Sequence, residues 1–322
     1  MKHTPFKSMK HWTSMGALTV LISLISCGSS SNGATIEETE STESTETSTK
    51  KSNSDKDFLI TISTEFGDMY AILYDETPKH KANFIKLAQE KFYDSLLFHR
   101  IIEGFMIQGG DPQSKNAAPG TRLGSGGPGY TVEAEIKPNL YHKKGAFSAA
   151  RQGDNVNPER RSSGSQFYIV QGIKYETQQL VGMEQNAAFQ KKNEIFNKYL
   201  TRPENSAILQ QVQQHQASGN RAAFDSLIQT IQPKIEEEFN KQGGFSFSEK
   251  MKSDYQTIGG APHLDGQYTV FGQVIKGLEI IDLIAKQPKD GGDRPTKDIQ
   301  MTVTVEELSK SKITKLTGYT FE

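Results

Sequence analysis

Two short β-prone runs, Phe98-His99-Arg100-Ile101-Ile102 and Phe105-Met106-Ile107-Gln108-Gly109-Gly110-Asp111, flank a turn at Glu103-Gly104 and constrain this chain more than any other feature. Apolar and β-branched residues joined by a short Gly-containing connection read as neighbouring strands. The arrangement sets Arg100 and Gln108 beside the large apolar side chains of Phe105 and Met106.

The surrounding chain repeats this β pattern. Phe58 to Thr64 and Asp68 to Tyr74 predict a hairpin turning at Gly67. Thr77-Pro78 supplies an N-cap and a proline at the first helical position, and Ala82, Phe84, Ile85, Leu87 and Ala88 have the spacing of an amphipathic helix ending near Lys91. The Gly/Pro/Asn-rich stretch after Gly110 predicts a loop reaching Tyr130. Further short strands are expected near 145–149, 166–170 and 269–274. A second helix is expected over about 277–286, and a closing strand over 299–305. Many strands with two helices suit a mainly β fold, a closed antiparallel barrel capped at its ends.

Residues 173–257 do not fit that plan. They are rich in Gln, Lys, Glu and Asn, with apolar residues at helical spacing. One set is Phe189, Ile195, Phe196, Tyr199 and Leu200, a second Ile208, Leu209 and Val212, and a third Phe224, Leu227, Ile228, Ile231, Ile235 and Phe239. A helical insertion is predicted, with Pro233 kinking or dividing the third helix and Ser246 with Glu249 as a capping box.

The amino-terminal segment stands apart from the fold. Lys2, Lys7 and Lys10 precede an apolar run from about Met15 to Ile25, too short for a permanent transmembrane helix. Its end, Leu24-Ile25-Ser26-Cys27, resembles a bacterial lipobox, which implies a signal peptide over 1–26 and acylation of Cys27. The following stretch to residue 56 is Ser, Thr, Glu, Asn and Lys, a composition unable to bury enough surface to order itself, and it reads as a tether. Cys27 is the single cysteine, so a chain lipidated there makes no disulfide. With 37 Lys and Arg against 38 Asp and Glu, nothing favours nucleic acid as a partner.

The run 98–111 resembles the signature of the cyclophilins, β-barrel peptidyl-prolyl cis-trans isomerases. Gly164-Ser165-Gln166-Phe167-Tyr168-Ile169-Val170 and Leu264-Asp265-Gly266-Gln267-Tyr268-Thr269-Val270-Phe271-Gly272 carry the same resemblance in the same order. It implies a cyclophilin-like domain over 57–310, interrupted by the insertion, with a C-terminal tail over 311–322. It also implies catalytic roles for Arg100 and Gln108. Phe105, Met106, Phe167, Tyr168 and Leu264 would line a pocket for the proline ring, and His99, Ala150, Arg151, Gln166, His263 and Tyr268 would line the groove beside it.

The family's best-known eukaryotic members differ at four of these positions. Arg151 stands where they have asparagine, which would make the groove more positive. His263 replaces a tryptophan, implying poor cyclosporin binding; Tyr268 replaces a histidine and Glu103 a proline. No cofactor is implied. Gly124-Ser125-Gly126-Gly127-Pro128-Gly129 fits the letters of a dinucleotide fingerprint, but its internal proline and the β-like residues after it make it a loop. The seven histidines lack ligand spacing, so no metal is expected. Glu133 and Glu135 are expected to be solvated.

The cyclophilin and lipobox resemblances together imply a lipid-anchored isomerase of the bacterial envelope, acting on proline-containing polypeptides. Gly28 follows Cys27 where an inner-membrane retention aspartate would stand, which tilts the anchor toward the outer membrane without deciding between the two membranes, and a monomer is the default. A proline-peptide-binding chaperone, with the insertion holding clients, is the alternative.

Overall fold

The computed structural model describes residues 55–321. The signal segment, Cys27 and nearly all of the tether lie outside the described residues. The strands are β1 (Lys56–Thr64), β2 (Gly67–Leu73), β3 (Leu96–Leu97), β4 (Arg100–Ile102), β5 (Met106–Gly109), β6 (Thr131–Val132), β7 (Ala146–Ala149), β8 (Ser162–Ser163), β9 (Phe167–Val170), β10 (Val270–Lys276) and β11 (Gln300–Ser309). The helices are α1 (Pro78–Gln89), α2 (Thr177–Leu200), α3 (Ser206–Ala217), α4 (Arg221–Lys241), α5 (Glu249–Thr257), α6 (Leu278–Ala285) and α7 (Lys310–Thr317).

Nine strands make one antiparallel sheet in the order β3-β11-β1-β2-β10-β7-β9-β5-β4, and β6 pairs separately with β8. The expected closed barrel is corrected to an open, curled sheet. Its edges, β3 and β4, are successive pieces of one chain running onward through Phe98 and His99, so they cannot pair with each other. β3 bonds to β11 and β4 to β5. The covalent chain, not a hydrogen-bond ladder, spans the gap.

Strand alternation sorts the side chains onto two faces. Ile101, Ile107, Ile169 and Phe147 are register partners across β4, β5, β9 and β7. All four are completely buried in the main core. The neighbouring row, Arg100, Gln108, Tyr168 and Ser148, belongs to the opposite face. A one-residue slip in register would exchange the two rows.

Helices α1 and α6 cover the core face with Phe84, Leu87 and Ala88 from one and Ile280, Ile281 and Ile284 from the other. Thr77 is the N-cap of α1, but its side chain makes no cap bond. Its hydroxyl donates to the Tyr74 carbonyl at 3.3 Å. Glu135 caps instead, accepting from the backbone N–H groups of Lys79 and His80 at 3.1 and 2.9 Å. Glu135 and Glu133 are thus engaged rather than simply solvated, Glu133 pairing with Lys79.

In the insertion, α2, α3 and α4 share a core of their own, built on Ile195, Phe196, Leu200, Val212, Ile231 and Phe239. Two local details differ from expectation. Helix α4 is not divided at Pro233, because packing on one face holds the helix across the missing bond. The cap of α5 is Ser248, accepting from Met251 N, rather than Ser246. Helix α5 joins Tyr141, Tyr175, Leu180 and Phe247 in a separate cluster. The C-terminal stretch is ordered as α7, with Ile313 fully buried.

Candidate active site

On the face away from the main core, Met106, Tyr168, Val170, Ala146 and Val270 form a second apolar cluster, joined by Phe105, Leu264 and Tyr268. Polar groups rim it. The result is a groove of about 710 Å³ lined by His99, Arg100, Phe105, Met106, Gln108, Ala150, Arg151, Tyr168, Leu264 and Tyr268. It continues past Gln108 into an equal space bounded by Gly126, Arg161, Ser163 and Gln166.

Arg100 and Gln108 oppose each other in register on β4 and β5. The Gln108 amide donates to Gln166 Oε1 at 3.1 Å, and the Gln166 amide donates to the Gly126 carbonyl at 2.7 Å. This chain fixes the direction of both amides. Asp111 holds the 124–126 loop in place, accepting from Gly124 N at 2.5 Å and Gly126 N at 3.3 Å. Arg294, itself buried, donates to the carbonyls of Ala117, Ala118 and Thr121 and pins the loop on the other wall. Gly110 sits at φ +87°, where a side chain would collide with the Ser165 carbonyl. That close approach lets β5 lie against the 164–166 turn.

Arg100 is only partly buried, and its Nε faces Asp293 at 3.5 Å. His99 is buried, and burial pushes its pKa down to about 4. It is neutral at physiological pH and brings no charge to the groove.

Phe167 does not reach the groove. Its parity on β9 turns it into the main core, where its ring packs edge-on against Phe147 at 4.7 Å and Phe84 at 5.6 Å. His263 is exposed and does not line the groove itself, its ring lying 5.3 Å from the groove residue Phe105. Arg151 does line the groove, but it brings no free charge. Its guanidinium lies 4.4 Å above the Tyr268 ring, with Asp154 2.5 Å from Nη1 and the Gln267 carbonyl accepting from Nε at 3.0 Å. The expected positive shift is therefore offset.

The family model described as cyclophilin type peptidyl-prolyl cis-trans isomerase/CLD matches residues 59–230 and 183–306. These segments contain every element of the groove. The chain belongs to the cyclophilin-type peptidyl-prolyl isomerases.

Proteins similar to this cyclophilin are named as peptidyl-prolyl cis-trans isomerases. A Staphylococcus epidermidis protein named as a peptidyl-prolyl cis-trans isomerase is 30% identical over 262 residues, covering 80% of this chain and 96% of its own. Peptidyl-prolyl cis-trans isomerase B of Bacillus subtilis is 48% identical over 100 residues, covering 30% of this chain and 60% of its own. A Streptococcus pyogenes protein named as a bifunctional phosphatase/peptidyl-prolyl cis-trans isomerase is 32% identical over 246 residues. That match covers 74% of this chain but only 37% of the relative.

Several residues in and behind the groove wall of this cyclophilin escaped sequence reasoning. Asp293 and Arg294 lie in the 287–298 loop, and only folding brings that loop to β4. Thr121, Arg122 and Leu123 lay in a stretch legible as loop but not as wall. His142 and Asp265 stand behind Tyr168, and the signal for them was present, since Asp265 lies within a motif segment.

Proposed function

We propose that this cyclophilin isomerises X-Pro bonds in exported polypeptides while tethered to the envelope through Cys27. The opposition of Arg100 and Gln108 at the edge of an apolar floor carries the catalytic part of the reading. Rotation about an X-Pro bond meets a barrier of roughly 18–20 kcal/mol because the amide is resonance-stabilised. In the twisted state the proline nitrogen regains its lone pair, and a donor aimed at it lowers the barrier. Arg100 supplies that donor from a rigid, permanently charged fork. Gln108 holds the neighbouring carbonyl, while Met106, Tyr168 and Leu264 give the ring a dry seat. No proton is exchanged, which accords with a neutral His99.

The envelope part rests on the lipobox-like end of the apolar run and on the polar tether. Cis-to-trans relaxation of an Ala-Pro peptide, measured with the parent and Arg100→Ala, tests the catalytic part. Acceleration that persists in the variant would sink the Arg100 mechanism. Fractionation of cells carrying Cys27→Ser tests the anchor, since an anchored parent should move from the membrane to the soluble fraction. A client-holding role draws support from the separate core of α2–α4. It predicts folding assistance that survives Arg100→Ala.

A further inference from the structure

A buried polar chain runs from the groove floor into the insertion. Tyr168 Oη lies 3.0 Å from Nε2 of His142. The other ring nitrogen, Nδ1, lies 2.8 Å from Asp265 Oδ1, which also accepts the backbone N–H of His142 at 2.9 Å. The second carboxylate oxygen of Asp265 accepts from Tyr255 Oη, on α5, at 2.5 Å. Tyr168, His142, Asp265 and Tyr255 are 5%, 0%, 8% and 0% exposed, so water does not compete for these bonds.

One carboxylate anchors the whole chain. The Tyr255 O–H donates to one oxygen of Asp265, and the other oxygen lies against His142 Nδ1. The remaining ring nitrogen, Nε2, faces the Tyr168 hydroxyl. The Tyr168 ring is thereby held as a fixed floor, with Tyr268 edge-on at 6.0 Å and the His142 ring stacked at 6.0 Å. A phenylalanine at position 168 would have the ring but not the lock.

Tyr255 sits at the root of the insertion, not out on its bundle. Tyr175 N donates to the Tyr255 carbonyl at 3.1 Å, and Ile173 and Gly260 exchange backbone bonds of 3.2 and 3.0 Å. These bonds join the two ends of the insertion, and Lys144 N donating to the Gly259 carbonyl at 2.9 Å and Ala261 N to the His142 carbonyl at 2.7 Å tie its exit to the segment leading into β7. The insertion therefore contributes a buried donor to the groove's support.

We propose that Tyr255 is a positioning residue for the isomerase groove, fixing the Tyr168 floor through Asp265 and His142; this rests on the isomerase reading of the groove. In the full chain, Tyr255→Phe leaves one Asp265 oxygen without its donor while keeping the ring. Its Michaelis constant for a proline peptide should rise about fivefold with little change in kcat, the size expected for one hydrogen bond. Tyr168→Phe should show a similar rise, and the double variant no further one, because both act through the same chain. Additive effects would overturn the proposal, and so would an unchanged Michaelis constant in Tyr255→Phe.

Nitrogen NMR of the His142 ring reads the chain without reference to catalysis. Both ring resonances should move in Tyr255→Phe, and static resonances would overturn the proposal whatever the activity. If the parent isomerises nothing, the isomerase reading fails, while the NMR comparison still decides whether the insertion and Tyr168 are linked. Should Tyr255→Phe not fold, Tyr168→Phe tests the chain from the open side, and the Nδ1 resonance of His142 must then shift.

Discussion

The Nε of Arg100 lies 3.5 Å from a carboxylate oxygen of Asp293, and the same residue's backbone carbonyl accepts the N–H of Ile101 at 2.9 Å. The 287–298 loop thus grips β4 at the residue whose side chain enters the groove. Lys289 Nζ donates to the other Asp293 oxygen at 2.6 Å and to the Ile101 carbonyl at 3.2 Å, so the carboxylate is shared between two cations.

Asp293 occupies left-handed backbone at φ +67°, a conformation asparagine also tolerates. Asp293→Asn should therefore remove charge without disturbing the loop. Partly exposed pairs contribute about 0–1 kcal/mol, so kcat/KM should fall by at most about fivefold, with melting temperature unchanged. A steady-state assay beside a thermal melt checks both.

Arg100→Lys should lose almost as much activity as Arg100→Ala, on the order of a hundredfold or more in kcat. Lysine keeps the charge but not the planar fork. Near-normal turnover by the lysine variant would mean that charge alone suffices.

His99 gives the domain an acid sensitivity whose sign is fixed by its burial. Its folded pKa of about 4 lies below the unfolded value of roughly 6.5. As pH falls the unfolded chain takes the proton first, so stability present above about pH 6.5 is lost progressively toward pH 4, up to roughly 3 kcal/mol. Urea unfolding of parent and His99→Gln at several pH values should show a shallower decline in the variant.

Pro233 lies exposed within α4, where it lacks the N–H that the helix ladder needs. Pro233→Ala should stabilise the insertion by about 1–3 kcal/mol. The change would appear as a higher melting temperature of the insertion with isomerase activity unaltered.

Glu135 accepts two backbone N–H groups of α1 and lies 2.6 Å from Nδ1 of His80. Glu135→Ala should cost about 1–2 kcal/mol, the scale of a lost cap. Chemical denaturation at neutral pH would measure it.

The sequence by itself determined what local chemistry controls. The alternation of 98–111 placed Arg100 and Gln108 on neighbouring strands. Apolar spacing marked α1, α6 and the helices of the insertion, and the order of three segments marked the family. Which way a strand faces was harder to read, because a period of two is symmetric until one face is buried. Phe167 and Tyr168 are adjacent aromatics, and only the register of β9 against β5 and β7 sends one to the core and the other to the groove. Capping was misread for a related reason. Thr77 had the local form of a cap, yet a distant carboxylate with two acceptor oxygens satisfied the helix end better. The tertiary structure alone decided the pairing of Arg100 with Asp293, the quenching of Arg151 by Tyr268 and Asp154, and the chain from Tyr168 to Tyr255. Apart from Arg151 and its near neighbour Asp154, each joins residues distant in sequence, and these contacts exist only once the sheet has curled and brought their segments together.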